Sequence, residues 1–393
     1  MRTVLLVTLL ILVLAGCETY ATPIAPQLPT IDPSAPALPT RTPLPPTVPP
    51  ATVAPSPTPQ PTAEPATQYY QAGMKAFGQG RYSESLLNFT QAIRVDPKNA
   101  LLYLNRAQVY LAQQDYDGAT GDFTRVIELD PRNVVAWVSR GQSYAAAEDF
   151  ENAVRDLDRA IQLSPGEPSV YVNRGQIIQA SGDITQALES FTQALTVDPN
   201  YAPAYYYRAL AYASDRPAQQ LGVDRRVVDD LTAVLALEPW NIEAYLARAE
   251  AYVEGGDLDK ALADYNLAVV VTPDNLEPLL KRGQLYYVRR DYQAALEDYD
   301  KALEIDPESI AARHDRGLVY IEQTQYDKAI ADFTTILQID PQNLDALIER
   351  AHAYDKKINR TAALNDLKRA LALAQTPADN ARVQGEIDRL TTQ

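Results

Sequence analysis

Two histidines, one cysteine and two rows of opposite charge are the residues through which this chain could do chemistry. His314 and His352 are its only imidazoles, with Asp315, Glu349 and Asp355 near them in sequence. A metal site needs a convergent third ligand, so the pair reads as two polar surface positions and no metal is assigned. Cys17 is the only thiol, which excludes an intramolecular disulfide and a thiolate cluster. No Gly-rich phosphate loop, HExxH or GxSxG motif is present, so no nucleophile, base or cofactor cradle is assigned either. Arg recurs at 106, 140, 174, 208, 248, 282, 316 and 350, and Asp at 122, 156, 230, 264, 298, 332 and 366. Alone, the Arg row would make an anion-binding ladder. The Asp row beside it predicts charge-assisted bridges between helices instead.

The spacing of those rows leads to the elements that must position them. Prolines at 97, 131, 165, 199, 239, 273, 307 and 341 close successive units 34 residues apart, except for one gap of 40 between Pro199 and Pro239. With the closing proline as position 32, apolar or small residues recur at positions 4, 8 and 11, then at 17, 20, 24 and 27, which is helical spacing and gives two helices per unit. All nine units carry Gly or Ala at position 8, Gly73, Gly283 and Ala351 among them, so a larger side chain there would hold two helix backbones apart. Position 20 is Ala in seven units, with Ser85 and Val227 the exceptions. Asp115, Asp149, Asp183, Asp257 and Asp291 stand where they can cap the second helix of their units, and the proline ends it.

These residues resemble the tetratricopeptide repeat, whose signature has an aromatic at 4, a small residue at 8, Tyr at 11, Ala at 20 and 27, an aromatic at 24 and Pro at 32. The resemblance covers residues 66–376, with departures at Ala76, Arg313 and the end of the ninth unit. It implies an all-α, right-handed superhelical solenoid of about nine repeats, with a concave face lined by the first (A) helices and a binding rather than catalytic role. Residues 377–393 carry Val383, Ile387 and Leu390 on one helical face and read as a capping helix. A solenoid grows by neighbour contacts, so one elongated domain is expected, and the six extra residues within 214–223, around Pro217, read as a lengthened loop.

On the same resemblance, positions 2, 5, 6, 9, 12 and 13 of the A helices face the groove. Candidate peptide-binding residues there are Asn105, Gln108, Gln142, Asn173, Gln176, Tyr206, Leu246, Leu280 and Gln284. The amides can donate to and accept from an extended backbone, and Tyr206 and Leu246 would be the apolar anchors. Position 5 either serves this groove or packs against the next repeat. The Lys and Asn sets with which some family members grip a C-terminal carboxylate do not occur.

Residues 1–16 read as a signal peptide, with Arg2 before an apolar run from Val4 to Val13. Leu14-Ala15-Gly16-Cys17 resembles the bacterial lipobox, which implies that Cys17 carries lipid and holds the chain on the extracytoplasmic side of a cell membrane or outer membrane. Residues 17–65 form a tether dense in Pro and Thr, which excludes helix and sheet and reaches about 130 Å if its proline-rich part is fully extended. It is a spacer, a ligand for a proline-recognising domain or a glycosylated stalk. The net charge of −16 lies almost wholly in the repeats and argues against nucleic acid and for a basic or polar protein partner. The expected function is a membrane-anchored scaffold that binds a partner protein or peptide in the concave groove, with envelope assembly as the expected setting. The competing readings are a solute-binding or enzymatic lipoprotein and a purely structural spacer.

Overall fold

The computed structural model describes residues 64–215 and 222–392. Within them the chain forms nineteen α-helices and no strand. In order these are α1 (Glu64–Gly78), α2 (Tyr82–Val95), α3 (Ala100–Ala112), α4 (Tyr116–Leu129), α5 (Val134–Ala146), α6 (Phe150–Leu163), α7 (Pro168–Ser181), α8 (Ile184–Val197), α9 (Ala202–Ser214) and α10 (Arg225–Leu237). There follow α11 (Ile242–Gly255), α12 (Leu258–Val271), α13 (Leu276–Val288), α14 (Tyr292–Ile305), α15 (Ile310–Glu322), α16 (Tyr326–Ile339), α17 (Leu344–Lys356), α18 (Arg360–Leu373) and α19 (Pro377–Thr392). The odd-numbered A helices and even-numbered B helices make nine pairs, and α19 is a terminal helix. This is the all-α solenoid that the repeat predicts.

Local chemistry explains where the helices start and stop. Asp115, Asp149, Asp183, Asp257 and Asp291 each accept from an amide in the first turn of their B helix, at 2.9–3.3 Å. Asn99, Asn133, Asn241, Asn275, Ser309 and Asn343 do the same for A helices. Between the helices of a pair, position 15 takes the left-handed conformation. Gly supplies it at Gly80, Gly182 and Gly256, whereas Gln114, Glu148, Arg290, Thr324 and Ile358 adopt it against their preference.

The small residues receive rings. A Cβ on Gly283 would lie 2.6 Å from the Tyr299 ring, on Gly317 2.7 Å from Phe333 and on Gly175 2.4 Å from Phe191. Position 8 therefore mostly leaves room for the aromatic edge at position 24 of the same repeat, not for a second helix backbone. Backbone is the nearest neighbour at Gly141, where the Ala153 carbonyl would lie at 3.0 Å. At the exceptional Ser85, the hydroxyl donates to the Gly73 carbonyl at 2.8 Å and so is satisfied in a buried site.

The single elongated domain expected from the repeats resolves into two compact units, one of α1 to α10 and the other of α11 to α19 with Val223. The division follows the fifth pair, the one that carries the six-residue insertion. In the second unit, Val223 sits against α11 so closely that a Cβ on Gly255 would meet its backbone at 2.6 Å. α19 lays Val383 and Leu390 into the core of the last repeats, fully or nearly buried, with Ile387 packed beside them. Residues 1–63, Cys17 among them, and Pro217 lie outside the described residues.

Candidate peptide-binding face

The Arg and Asp rows meet. Arg106, Arg140, Arg208, Arg248, Arg282, Arg316 and Arg350 each make a two-pronged bridge from an A helix to the Asp of the paired B helix, with N to O distances of 2.6–2.9 Å. The guanidinium also reaches back to position 25 of the preceding B helix: Arg106 to Thr90, Arg140 to Thr124, Arg282 to Asn266, Arg316 to Asp300 and Arg350 to Thr334, at 2.7–3.0 Å. One side chain thus ties three helices together. Aromatic rings complete its surroundings, as where the Arg140 guanidinium carbon lies 4.9 Å from the Trp137 ring centre and 5.8 Å from that of Tyr144. The Asp122 hydrogen bond holds the Arg106 guanidinium above its ordinary value although burial opposes this. With its donors engaged, the row serves the solenoid and not an anion.

The fourth repeat, which has Ser190 in place of the Asp, shows how the staple tolerates change. Arg174 donates to Ser190 Oγ at 2.7 Å and takes its carboxylate from Asp158 of the preceding repeat at 2.6 Å. Position 25 is a set that sequence reasoning missed, although it was visible. It holds a hydrogen-bond acceptor in each repeat that is followed by another and Lys368 in the ninth, just as position 7 is Ala72 in the first.

The predicted groove residues are held along the A helices, and several are already engaged. In the first unit Gln142 is buried and donates to Asn173 at 3.4 Å, Gln176 opposes the upward push that burial gives the Tyr207 hydroxyl, and Asn105 donates to the Leu101 carbonyl of its own helix at 2.7 Å. Gln108 and Tyr206 are half-buried, with Tyr206 set edge-on to Tyr207 at 5.4 Å. In the second unit Gln284 is exposed and donates to Asp315 at 2.8 Å, and Leu280 is half-buried against the cores of its own and the next repeat. Leu246 is only 8% exposed and offers a ligand little surface. The recurring link is position 9 of one A helix to position 6 of the next, which Glu250 and Lys281 also make at 2.5 Å.

The face differs in charge between the two units. None of the thirty residues at positions 2, 5, 6, 9, 12 and 13 of repeats one to five is charged. The same positions in repeats six to nine hold nine carboxylates, including Glu243, Glu277, Asp315 and Glu322, against Lys281 and Lys356. Burial and the charges of Glu322, Glu349 and Asp315 push the Tyr287 hydroxyl up, so these acids act on one stretch of the face. Among the described residues, no group of three His, Cys, Asp or Glu is placed to hold a metal ion, and no helix is long and apolar enough to cross a membrane.

Paired helices with Arg staples and an open helical face define the class of helical-repeat solenoids, whose members generally serve as binding scaffolds. Models of the tetratricopeptide repeat match residues 70–134, 108–168, 249–319 and 310–343, and a TPR repeat model matches 179–215. The chain is a member of the tetratricopeptide repeat family. Its fold is similar to the C-terminal part of a TPR repeat-containing protein from Cytophaga hutchinsonii, at 15% identity over 63% of this chain and 98% of that one, with a TM-score of 0.50. A tetratricopeptide repeat protein from Parabacteroides merdae matches at 17% identity over 66% and 99% of the two chains, with a TM-score of 0.46. Comparison with curated proteins gives no match.

Proposed function

We propose that this chain is a scaffold, lipid-anchored at Cys17 on the extracytoplasmic side of a membrane, that holds segments of a partner protein on its A-helix faces. The division of charge carries this reading. A face of thirty uncharged residues in a chain of which 22% is charged is suited to an apolar segment. Leu101 and Val135, 51% and 59% exposed at position 2, stand ready to be covered. The acidic face of the second unit suits lysine- or arginine-bearing segments, whose attraction would weaken with salt. Since Gln142, Asn173 and Gln284 already bond between repeats, the more exposed side chains, those at position 2 above all, supply most of the selectivity. The Leu14-Ala15-Gly16-Cys17 stretch supports the anchor, and assembly of an envelope machine is a process that such a placement would serve.

Capture from a peptide library on the full chain tests the scaffold. Leu101→Glu with Tyr206→Ala should weaken apolar-peptide capture about tenfold or more, as loss of central anchors does. Glu277→Gln with Glu322→Gln should instead remove the salt-sensitive capture of basic peptides. A chain that prefers no peptide class would make this reading untenable. Cys17→Ala should release the protein from membranes with the repeats still folded, and continued attachment would exclude the lipid anchor.

A further inference from the structure

The terminal helix is joined to the ninth repeat by a row of charges centred on His352. α17 offers Asp345, Glu349, His352 and Asp355, and α19 offers Arg382, Glu386 and Arg389. Arg382 donates to Asp345 at 3.1 Å and lies 3.9 Å from Glu349, while Arg389 bridges Asp355 at 3.1 Å and Glu386 at 3.0 Å. Between them both nitrogens of His352 face carboxylates, Nδ1 at 3.1 Å from Glu349 of its own helix and Nε2 at 3.3 Å from Glu386 of α19. A neutral imidazole has a single N–H and would turn a lone pair toward one of those acids. Only the imidazolium donates to both. It also reduces an excess of four carboxylates over two guanidiniums.

We propose that His352 is a proton-operated latch: its imidazolium holds α19 on the ninth repeat, and its deprotonation loosens that helix and uncovers the A-helix face beneath. The groups around the ring are accounted for on each neighbouring element. From α15, His314 pairs with Asp315 at 3.4 Å, and His314 and Glu349 lie within each other's field. From α16, Asp327 takes Lys357, and from α18, Asp366 takes Arg350. The buried Val383 and Leu390 keep α19 attached in part when the latch opens, so the change is a shift in population rather than a release.

The direction with pH follows from the ring's partners. Hydrogen bonding to Glu349 and the charges of Glu349 and Glu386 raise His352 above its ordinary 6.5, and burial opposes them less strongly. A group raised in the docked state contributes its full stabilisation below the free value. That contribution is lost as pH rises through the docked value.

Amide-exchange protection of α19 in the full chain, corrected for intrinsic exchange, tests the latch. In the parent it should fall several-fold from about pH 6 to about pH 9, following the His352 ring signals, which His314→Gln identifies. In His352→Gln, protection should be lower at about pH 6 and flat across this range. Glu386→Gln lies on α19, outside the repeats, and should lower the His352 midpoint and reduce the pH response. Equal pH dependence in parent and His352→Gln would overturn the proposal, as would a His352 midpoint unmoved by Glu386→Gln.

Discussion

Removing one carboxylate from the Arg staple should be costly in one repeat and mild in the next, because the guanidiniums differ in what they retain. In the seventh repeat, Arg282 gives two hydrogen bonds to Asp298 at 2.8 and 2.6 Å and one to Asn266 at 2.8 Å. The side chains of Arg282 and Asp298 are 15% and 3% exposed. Asp298→Ala leaves a largely buried cation with no anion, and we expect a loss of about 3 kcal/mol, the low end for breaking a buried pair because Asn266 stays and some water reaches the Arg. In the eighth repeat, Arg316 keeps a second carboxylate, Asp300 at 2.7 Å, when Asp332 is removed. Asp332→Ala should therefore cost about 1.5 kcal/mol, the scale of lost hydrogen bonds to a charged group. Urea unfolding followed by helical circular dichroism would measure both, with unchanged slopes showing that stability alone has moved. Exchange of α13 and α14 amides would show whether the loss is local, as neighbour-only contacts require. Arg282→Met with Asp298→Leu, which removes both charges, should recover most of the loss. Equal costs for the two Asp variants, or a cost below about 1 kcal/mol for Asp298→Ala, would refute the uncompensated-cation argument.

Other substitutions test the packing more narrowly. Arg313 occupies position 4, where Tyr103, Trp137, Tyr171 and Tyr205 each donate to the carbonyl of the preceding closing proline at 3.0–3.2 Å. Its buried Nη1 has no partner, so Arg313→Tyr should stabilise the chain by about 1 kcal/mol in the same urea experiment. Ile358 is 86% exposed with φ at 63°, and Ile358→Gly should gain about 1 kcal/mol by relieving a β-branched residue in left-handed backbone. Gly283→Leu should cost about 3 kcal/mol or more by displacing the Tyr299 ring, with the greatest loss of exchange protection in α13 and α14 of the same repeat.

The rows that could be read in the sequence were those where a residue type is needed irrespective of its neighbours. Proline at position 32, Asp before a B helix and the Arg and Asp of the staple each act through one fixed bond or bar, so spacing alone revealed them. Position 15 was opaque for the opposite reason. Its left-handed backbone is imposed by helices packing on either side, and Gln114, Glu148, Arg290, Thr324 and Ile358 comply at a cost that the rest of the repeat outweighs. The division into two units was equally hidden, since the six extra residues read only as a longer loop and nothing in the sequence places Val223 against Gly255.

The binding face is the least legible part because its residues serve two demands at once. An amide at position 9 suits an extended peptide, but the same group can satisfy position 6 of the next A helix, and Gln142 and Gln284 do so. Such pairs are neutral in the first unit, as with Gln142 and Asn173, and charged in the second, as with Glu250 and Lys281. A ligand that needed those amides would first have to separate them from each other, which costs about as much as the new bond returns. Affinity must therefore come from surface that the repeats leave unused, the exposed apolar side chains at position 2 in the first unit and acids such as Glu277 and Glu322 in the second. That requirement is why the charge along the face, rather than any one predicted residue, specifies the partner's chemistry.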